Sequence, residues 1–224
     1  MSPKRAPYPT LRLERKLQDA GAAVVCGIDE VGRGAWAGPV TVGAVVASPE
    51  HLRKVRDSKQ LTRDERERAA AAVQAWAVAV GVGHASHEEC DELGMTAALR
   101  TAAMRALAQL DAQGVVPDRI VLDGNHDYLG FGTQRVTTVI KGDVSCLSVA
   151  AASCVAKVTR DRLMADAAEH YPMYDFAANV GYPAPAHKAA LAAYGPSAIH
   201  RRSWVFMEHL CFRGVPPAPG RLFA

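Results

Sequence analysis

The chain reads Val24-Val25-Cys26-Gly27-Ile28-Asp29-Glu30-Val31-Gly32-Arg33-Gly34 near its N-terminus. A short apolar run with β-branched residues is typical of a buried strand, and glycines spaced by one residue indicate a tight turn at its exit. From Gly38 to Ala47 the chain is again rich in valine and small residues. A strand so soon after a tight turn favours a hairpin partner over a crossover connection. The segment therefore predicts a strand pair whose first strand leads into two acids.

The rest of the chain alternates apolar runs with helical patterns. Three further runs predict strands at Val78 to Val82, Ile120 to Leu122 and Val136 to Ile140. Capping-box spacing is present at Thr62 with Glu65 and at Ser86 with Glu89. Helices are predicted from Thr62 to about Trp76, from about Met95 to Gln113, from Ser148 to Glu169 and from Pro185 to Gly195. Strands that alternate with helices indicate an α/β domain, to which a helical C-terminal portion is added.

Length and composition limit the class of protein. The 224 residues suffice for one domain with its own core, and 49% apolar side chains exclude a wholly disordered chain. The five cysteines are odd in number and form no C-x-x-C pair, so neither a disulfide framework nor a zinc knuckle is expected. The basic residues 1–20 lack the apolar run of a signal peptide, and no stretch reaches the roughly 18 apolar residues of a membrane span. We therefore expect a cytoplasmic protein without membrane contact.

Basic residues cluster although the net charge is only +3. The segment from His51 to Arg68 holds seven basic residues against four acids, and the tail from Arg201 onward holds four arginines against Glu208 alone. Such clusters are compatible with contacts to phosphates, and also with solvated helix faces. The charge pattern leaves both interpretations open.

Acidic residues follow three of the apolar runs. Asp29 and Glu30 follow the first run, Asp123 follows the fourth, and Asp143 lies shortly after the fifth. Functional groups gather where strands of open α/β sheets end, so these four carboxylates are expected to converge. An all-oxygen cluster favours Mg²⁺ or Mn²⁺ over zinc, and two ions about 3.5–4 Å apart would suit displacement at a phosphodiester. The alternative is that each acid merely ends a strand at a solvated turn.

Several segments, in order, resemble ribonuclease HII, the bacterial type 2 ribonuclease H. The resemblance lies in Gly27 to Val40, Asp57 to Leu61, Leu122 to Asn125, Lys141 to Asp143, Ser148 to Ser153, Gly181-Tyr182, Tyr194 to Ser197 and Ile199 to Ser203. It spans about residues 24–207. It implies a ribonuclease H-like five-stranded mixed sheet flanked by helices, with a helical C-terminal segment that closes over the substrate.

The resemblance also implies an activity. The family hydrolyses the phosphodiester on the 5′ side of ribonucleotides, in RNA:DNA hybrids and at single ribonucleotides in duplex DNA, and leaves 3′-hydroxyl and 5′-phosphate ends. Two divalent ions, Mg²⁺ or Mn²⁺, would be held by Asp29, Glu30, Asp123 and Asp143. The substrate-binding residues would be Gly32, Arg33 and Gly34, which read the 2′-hydroxyl through the backbone, Tyr182, which stacks on the following deoxyribose, and Lys59, a phosphate contact. Arg201 and Arg202 are further candidates for phosphate contact.

The sequence also predicts domain boundaries and partners. We expect a basic N-terminal extension at residues 1–20, a catalytic domain at 21–210 whose helical C-terminal segment starts at about residue 162, and a mobile tail at 211–224. The chain is expected to be a monomer. Arg221-Leu222-Phe223 resembles a short motif that docks weakly on a replication sliding clamp, and a frayed end is the alternative.

The chain departs from the family pattern around Tyr182. The family has His-Lys before the glycine and Gly-Thr after the tyrosine, whereas this chain has Asn179-Val180 and Pro183-Ala184. The loss of a phosphate contact and a capping hydroxyl would change affinity or junction preference. Two other functions remain as alternatives. A non-catalytic hybrid-binding module would require the loss of an acid, and the glycine turn with Tyr182 speaks against a DNA-directed nuclease of the same superfamily.

Overall fold

The fold is organised around one mixed sheet. The computed structural model describes residues 8–50, 52, 55, 61–204 and 207. The strands are β1 (Val25–Val31), β2 (Val40–Val46), β3 (Ala79–Ala85), β4 (Arg119–Asp123) and β5 (Val136–Val139), in the spatial order β3-β2-β1-β4-β5. β1 pairs antiparallel with β2, and β2 pairs antiparallel with β3, whereas β1, β4 and β5 run parallel. The expected five-stranded mixed sheet and its first hairpin are confirmed.

The four predicted helices begin and end close to the expected positions, and the described part of the chain adds four shorter ones. They are α1 (Arg12–Asp19), α2 (Arg63–Trp76), α3 (His87–Leu93), α4 (Met95–Ala112), α5 (Gly142–Ser145), α6 (Leu147–His170), α7 (Phe176–Asn179) and α8 (Pro185–Tyr194). Both predicted capping boxes form, with Thr62 before α2 and Ser86 before α3. These local signals were readable because each box satisfies backbone N–H groups from side chains three residues apart. None of the described helices is long and apolar enough to cross a membrane.

Helices cover both faces of the sheet. On one face, Ile28 and Val42 pack with Leu99 of α4, and on the other, Val45 packs with Val155 of α6 and with α2. Gly27 allows α6 to approach β1, because a Cβ at this position would overlap the main chain of Ser148. Helix α6 therefore lies directly on the strand that carries the first two acids.

The N-terminal segment contains a helix for which no element was expected. Glu14 of α1 is buried, and its Oε1 accepts hydrogen bonds from the Ser148 N–H at 2.9 Å and the Ser148 hydroxyl at 2.6 Å. These groups lie in the first turn of α6, where backbone N–H groups lack partners within the helix. Part of the predicted basic extension thus caps the central helix.

The outer edge of the sheet is covered by side chains at the C-terminal end of α4, from Gln109 and from the capping residue Gln113. Gln109 Nε2 donates to the Val82 carbonyl and its Oε1 accepts from the Val82 N–H, both at 2.9 Å. Gln113 makes the same pair of bonds to Val80, at 2.9 and 3.4 Å. An open strand edge is a template for pairing with another chain. The two glutamines occupy that edge of β3.

The helical C-terminal segment packs on the connection between β1 and β2. Phe176 and Leu191 form a small core with Ala37 of this connection. The backbone also joins them, since the Trp36 N–H donates to the Gly181 carbonyl at 2.8 Å and the Gly38 N–H to the Ile199 carbonyl at 2.9 Å. The turn after β1 and the loop at Gly181 are therefore held together.

Candidate active site

Three of the predicted acids lie on adjacent parallel strands. The pairing of β1 with β4 ends at Ile28 opposite Leu122, so Asp29 and Asp123 come next on neighbouring strands. β1 continues through Glu30 to Val31 in regular pairing with β2, and the chain turns only at Gly32. Asp29 is therefore buried, whereas Glu30 is half-buried.

The fourth acid, Asp143, is carried by the short helix α5. Lys141 precedes this helix with a positive φ of 58°, and the Gly142 N–H donates to Asp123 Oδ1 at 2.7 Å. The carboxylate that ends β4 thus anchors the helix that presents Asp143. Asp143 is also buried, with 4% of its surface exposed.

Asp29 interacts electrostatically with the other three acids. Burial raises the pKa of Asp29 well above its usual range; a hydrogen bond from Ser153 opposes this, and the charges of Asp123, Glu30 and Asp143 raise the pKa further. Such mutual repulsion is relieved by a bound cation. The structure brings the four predicted acids into one electrostatic neighbourhood.

The side chains of the acidic centre are not positioned as a complete set of metal ligands. Within the described part of the chain, no group of three or more His, Cys, Asp or Glu side chains is placed so that it could hold a metal ion. The donor set itself is all-oxygen and buried at Asp29 and Asp143, which fits a hard divalent cation such as Mg²⁺ or Mn²⁺.

The turn after β1 is held by Tyr182 and a buried arginine. The Gly32 N–H donates to the Tyr182 hydroxyl oxygen at 3.1 Å. The Arg201 guanidinium donates to the Gly32 carbonyl at 2.7 Å and to the Arg33 carbonyl at 3.0 Å. Gly32 has a φ of +86°, and a Cβ there would overlap the Arg160 side chain. Only glycine fits this position.

Two arginines stabilise this region from inside. Arg160 and Arg201 are fully buried. Arg160 donates to the carbonyls of Pro39, Val180 and Ala37 at 2.8, 2.8 and 3.1 Å. The interpretation of Arg201 as a phosphate contact is wrong, because its guanidinium is enclosed and bonded to backbone carbonyls. Arg202 is exposed, and its N–H donates to Asp91 Oδ2 at 2.6 Å.

The remaining predicted binding residues have different outcomes. The Arg33 side chain is 65% exposed and lies 3.6 Å from Glu30. The Tyr182 ring is half-buried, beside Gly34, with the Arg160 guanidinium 5.6 Å from its centroid. Lys59 and the C-terminal triplet at 221–223 lie outside the described residues. The structure therefore joins the glycine turn and Tyr182 into one surface beside the acids.

Comparison with known proteins identifies the family. A family model described as ribonuclease HII matches residues 26–207. Ribonuclease HII from Streptomyces avermitilis is 53% identical over 211 residues, which cover 91% of this chain and 88% of that protein. The chain belongs to the ribonuclease HII family. It is a nuclease, a ribonuclease H of type 2, as the resemblance of its motifs implied.

Solved structures of ribonuclease HII relatives share the fold. Ribonuclease H2 from Pyrococcus horikoshii OT3 is 27% identical with a TM-score of 0.67, and the match covers 83% of this chain and 95% of that one. The ribonuclease HII of Archaeoglobus fulgidus, solved as a complex with PCNA, has the same identity and TM-score over 81% of this chain and 95% of its own. The ribonuclease H-like architecture is confirmed.

This ribonuclease HII chain places one further side chain at the acidic centre. Tyr128 is buried, and its hydroxyl has no hydrogen-bond partner among the described residues. Burial, followed by the charges of Glu30, Asp29 and Asp123, raises its pKa well above the usual range. Tyr128 lies in the loop after β4, where the sequence has no periodic pattern that would have singled it out.

Proposed function

We propose that this chain hydrolyses the phosphodiester on the 5′ side of ribonucleotides, both in RNA:DNA hybrids and at single ribonucleotides in duplex DNA, and leaves 3′-hydroxyl and 5′-phosphate ends. The observation that carries the proposal is the 3.1 Å hydrogen bond between the Gly32 N–H and the Tyr182 hydroxyl. It joins a turn suited to approach by a sugar to an aromatic ring, two residues beyond Glu30. Recognition and hydrolysis would then occupy adjoining parts of one surface.

Asp29, Glu30, Asp123 and Asp143 would hold the divalent ions, Mg²⁺ or Mn²⁺. Bound there, two ions would activate the attacking water and stabilise the leaving oxygen. The chain supplies the oxygen ligands, buries two of them, and keeps Asp123 oriented through the bond from the Gly142 N–H. The raised pKa of Asp29 supports the assignment, because the repulsion that contributes to it is removed when cations bind.

The glycine turn would recognise the 2′-hydroxyl through its backbone. The Gly32 N–H is engaged by Tyr182, and the Gly32 and Arg33 carbonyls accept from Arg201. Among the described residues, no hydrogen bond engages the N–H groups of Arg33 and Gly34. These two donors face no competing partner there, and the 2′-hydroxyl, which accepts as well as donates, distinguishes RNA from DNA.

Tyr182 would read the sugar that follows the ribonucleotide. Its ring lies beside Gly34 and would stack on a deoxyribose, while Lys59 would contact a phosphate. The departures from the family pattern affect this region. Val180 has a positive φ of 46° and Ala184 caps α8 without a side-chain hydrogen bond. Junction preference is therefore expected to differ from that of relatives with lysine and threonine at these positions.

The deciding experiment compares three duplexes in Mg²⁺ or Mn²⁺: one with a single ribonucleotide, one with a continuous RNA strand, and one of DNA alone. The first two should be cut and the third left intact. Equal cleavage of all three would indicate a DNA-directed nuclease of the same superfamily, and binding without cleavage would indicate a hybrid-binding module.

A sliding-clamp contact through residues 221–223 is proposed as an additional weak interaction, and deletion of the three residues should abolish it in a pull-down.

A further inference from the structure

Tyr182 is held through its backbone as well as its hydroxyl. The Tyr182 carbonyl accepts from the Ala184 N–H at 2.8 Å. His187 Nδ1 lies 2.8 Å from the same carbonyl oxygen. A carbonyl oxygen has two lone pairs, so these two donors saturate it. The orientation of the peptide that carries the Tyr182 ring is therefore set by His187 together with the local turn.

His187 is the end of a longer chain of hydrogen bonds. Its Nε2 lies 2.8 Å from His200 Nε2. His200 Nδ1 in turn lies 2.9 Å from the Ser197 N and 2.7 Å from the Ser197 hydroxyl. His187 and His200 are fully buried and Ser197 is 6% exposed. The chain crosses from the segment after α8 to the loop that carries Tyr182.

The donors fix the direction of this chain. A backbone N–H can only donate, so His200 Nδ1, which faces the Ser197 N–H, must be unprotonated. Neutral His200 then carries its proton on Nε2 and donates to His187 Nε2. His187 is left with its proton on Nδ1, where the Tyr182 carbonyl can only accept. Each nitrogen thus has one role that is consistent with its neighbour.

The surroundings keep both imidazoles neutral. The ring of Phe176 lies 5.3 Å from His187 and 5.7 Å from His200 between centroids, and Tyr174 lies 4.9 Å from His200. Burial, and then the charges of His187, His87 and Arg202, lowers the pKa of His200 to about 3, and burial lowers the pKa of His187. A second proton on either ring would place two donors against each other.

We infer that His187 is a positioning residue: the directed chain from Ser197 through His200 and His187 to the Tyr182 carbonyl holds the Tyr182 ring against the Gly32 turn. The inference rests on the proposed function, since it takes Tyr182 as the residue that reads the ribonucleotide–deoxyribonucleotide junction. Because the ring is fixed at both its hydroxyl and its backbone, it is oriented before the substrate arrives. Ordering the site in advance avoids the entropic cost of ordering it on binding.

The functional test compares two substitutions of His187 with a matched packing control. His187→Leu fills the site without a donor, and His187→Asn keeps a side-chain N–H near the position of Nδ1. Phe176→Leu loosens the same aromatic cluster without removing a hydrogen bond. The readout is the nicking rate on a single-ribonucleotide duplex divided by the rate on a continuous RNA:DNA hybrid. In the hybrid most ribonucleotides are followed by another ribonucleotide, so Tyr182 has no deoxyribose to contact.

His187→Leu should lower this ratio about tenfold or more, His187→Asn should restore it to within about threefold of wild type, and Phe176→Leu should lower the melting temperature but leave the ratio in place. An unchanged ratio in His187→Leu, or an equal fall in Phe176→Leu, would overturn the inference.

A second measurement needs no substrate. In protein labelled with ¹⁵N-histidine, two-bond proton–nitrogen correlations should show His187 protonated on Nδ1 and His200 on Nε2, with neither ring charged between pH 6 and 8. The opposite tautomers, or a charged ring, would overturn the inference. The proposed function fails by a different result, equal cleavage of the all-DNA duplex by the wild-type protein, so the two failures are distinguishable.

Discussion

Asp123→Asn is expected to stabilise the metal-free protein while it abolishes cleavage. Asp123 ends β4 next to buried Asp29, and its charge contributes to raising the pKa of Asp29. The amide has nearly the shape of the carboxylate and keeps the oxygen that accepts the Gly142 N–H. The substitution therefore removes one of four like charges without releasing helix α5.

The size of the gain is an order-of-magnitude value for two charges on neighbouring strands, which lie about 4.8 Å apart. Two charges about 4 Å apart interact by about 1 kcal/mol in water and about 4 kcal/mol at an effective dielectric constant of 20. Asp29 is buried and Asp123 is half-buried. Partial protonation of Asp29, whose pKa is raised by burial and by the neighbouring charges, relieves part of the repulsion. A gain of about 1–2 kcal/mol remains. At about 2–4 °C per kcal/mol for a domain of this size, the melting temperature should rise by about 2–8 °C.

The assay is thermal unfolding in EDTA and again in Mg²⁺, beside nicking of a single-ribonucleotide duplex. Asp118→Asn is the matched control, because Asp118 accepts from the N–H groups of Ala23 and Val24 away from the acidic centre. This control should not rise in EDTA and should cut normally. Mg²⁺ should stabilise the wild-type protein more than Asp123→Asn. An unchanged or lower melting temperature for Asp123→Asn in EDTA, or cleavage at the wild-type rate, would refute the reasoning.

Three further predictions concern the turn, the sheet edge and acid pH. Gly32→Ala should lower the free energy of unfolding by at least about 1–2 kcal/mol, because the φ at this position is positive, and should displace the Arg160 side chain. Urea unfolding measures the first effect, and the cleavage rate should fall about tenfold or more. Wild-type stability and cleavage would contradict this. Gln109→Leu frees the Val82 backbone at the sheet edge, so light scattering should detect self-association that Gln18→Leu, an exposed control on α1, does not show. Folding lowers the pKa of His200 from 6.5 to about 3. Its contribution to the free energy of unfolding is therefore complete above pH 6.5 and is lost as the pH falls, by about 1.4 kcal/mol per pH unit and by about 2 kcal/mol at pH 5. If the free energy of unfolding of the wild-type protein changed with pH no more steeply than that of His200→Gln, this would be contradicted.

The sequence alone determined the elements that depend on near neighbours. The two capping boxes, the apolar runs of the five strands and Pro185 at the start of α8 were predicted from spacing within a few residues, and the structure has them. The four acids were also selected as candidates, because each follows an apolar run and lies in a segment that resembles a family motif, and their role stays a prediction. The parallel pairing of β1 with β4 places Asp29 and Asp123 on neighbouring strands, whereas Asp143 is placed by helix α5, which is anchored through the bond from the Gly142 N–H to Asp123.

The tertiary structure decided how the charged residues far from the acids are used. Sequence presents Arg201 and Arg160 as basic residues, which are ordinarily solvated. Both are buried because carbonyls of the turn and its connection, more than 100 residues away along the chain, accept from their guanidinium groups. No local pattern specifies such partners.

The same physical reason covers the capping Glu14 and the glutamines at the sheet edge. Their backbone partners at Ser148, Val82 and Val80 lie 27 or more residues away along the chain. The histidine chain spans shorter separations, from 3 to 13 residues, and joins the loop of Tyr182 to the segment after α8. A buried polar group without a partner is costly, so these pairings are strongly selected in the folded state. Local spacing therefore determined where the helices, strands and acids lie, whereas long-range pairing of polar groups decided what orients the glycine turn and Tyr182.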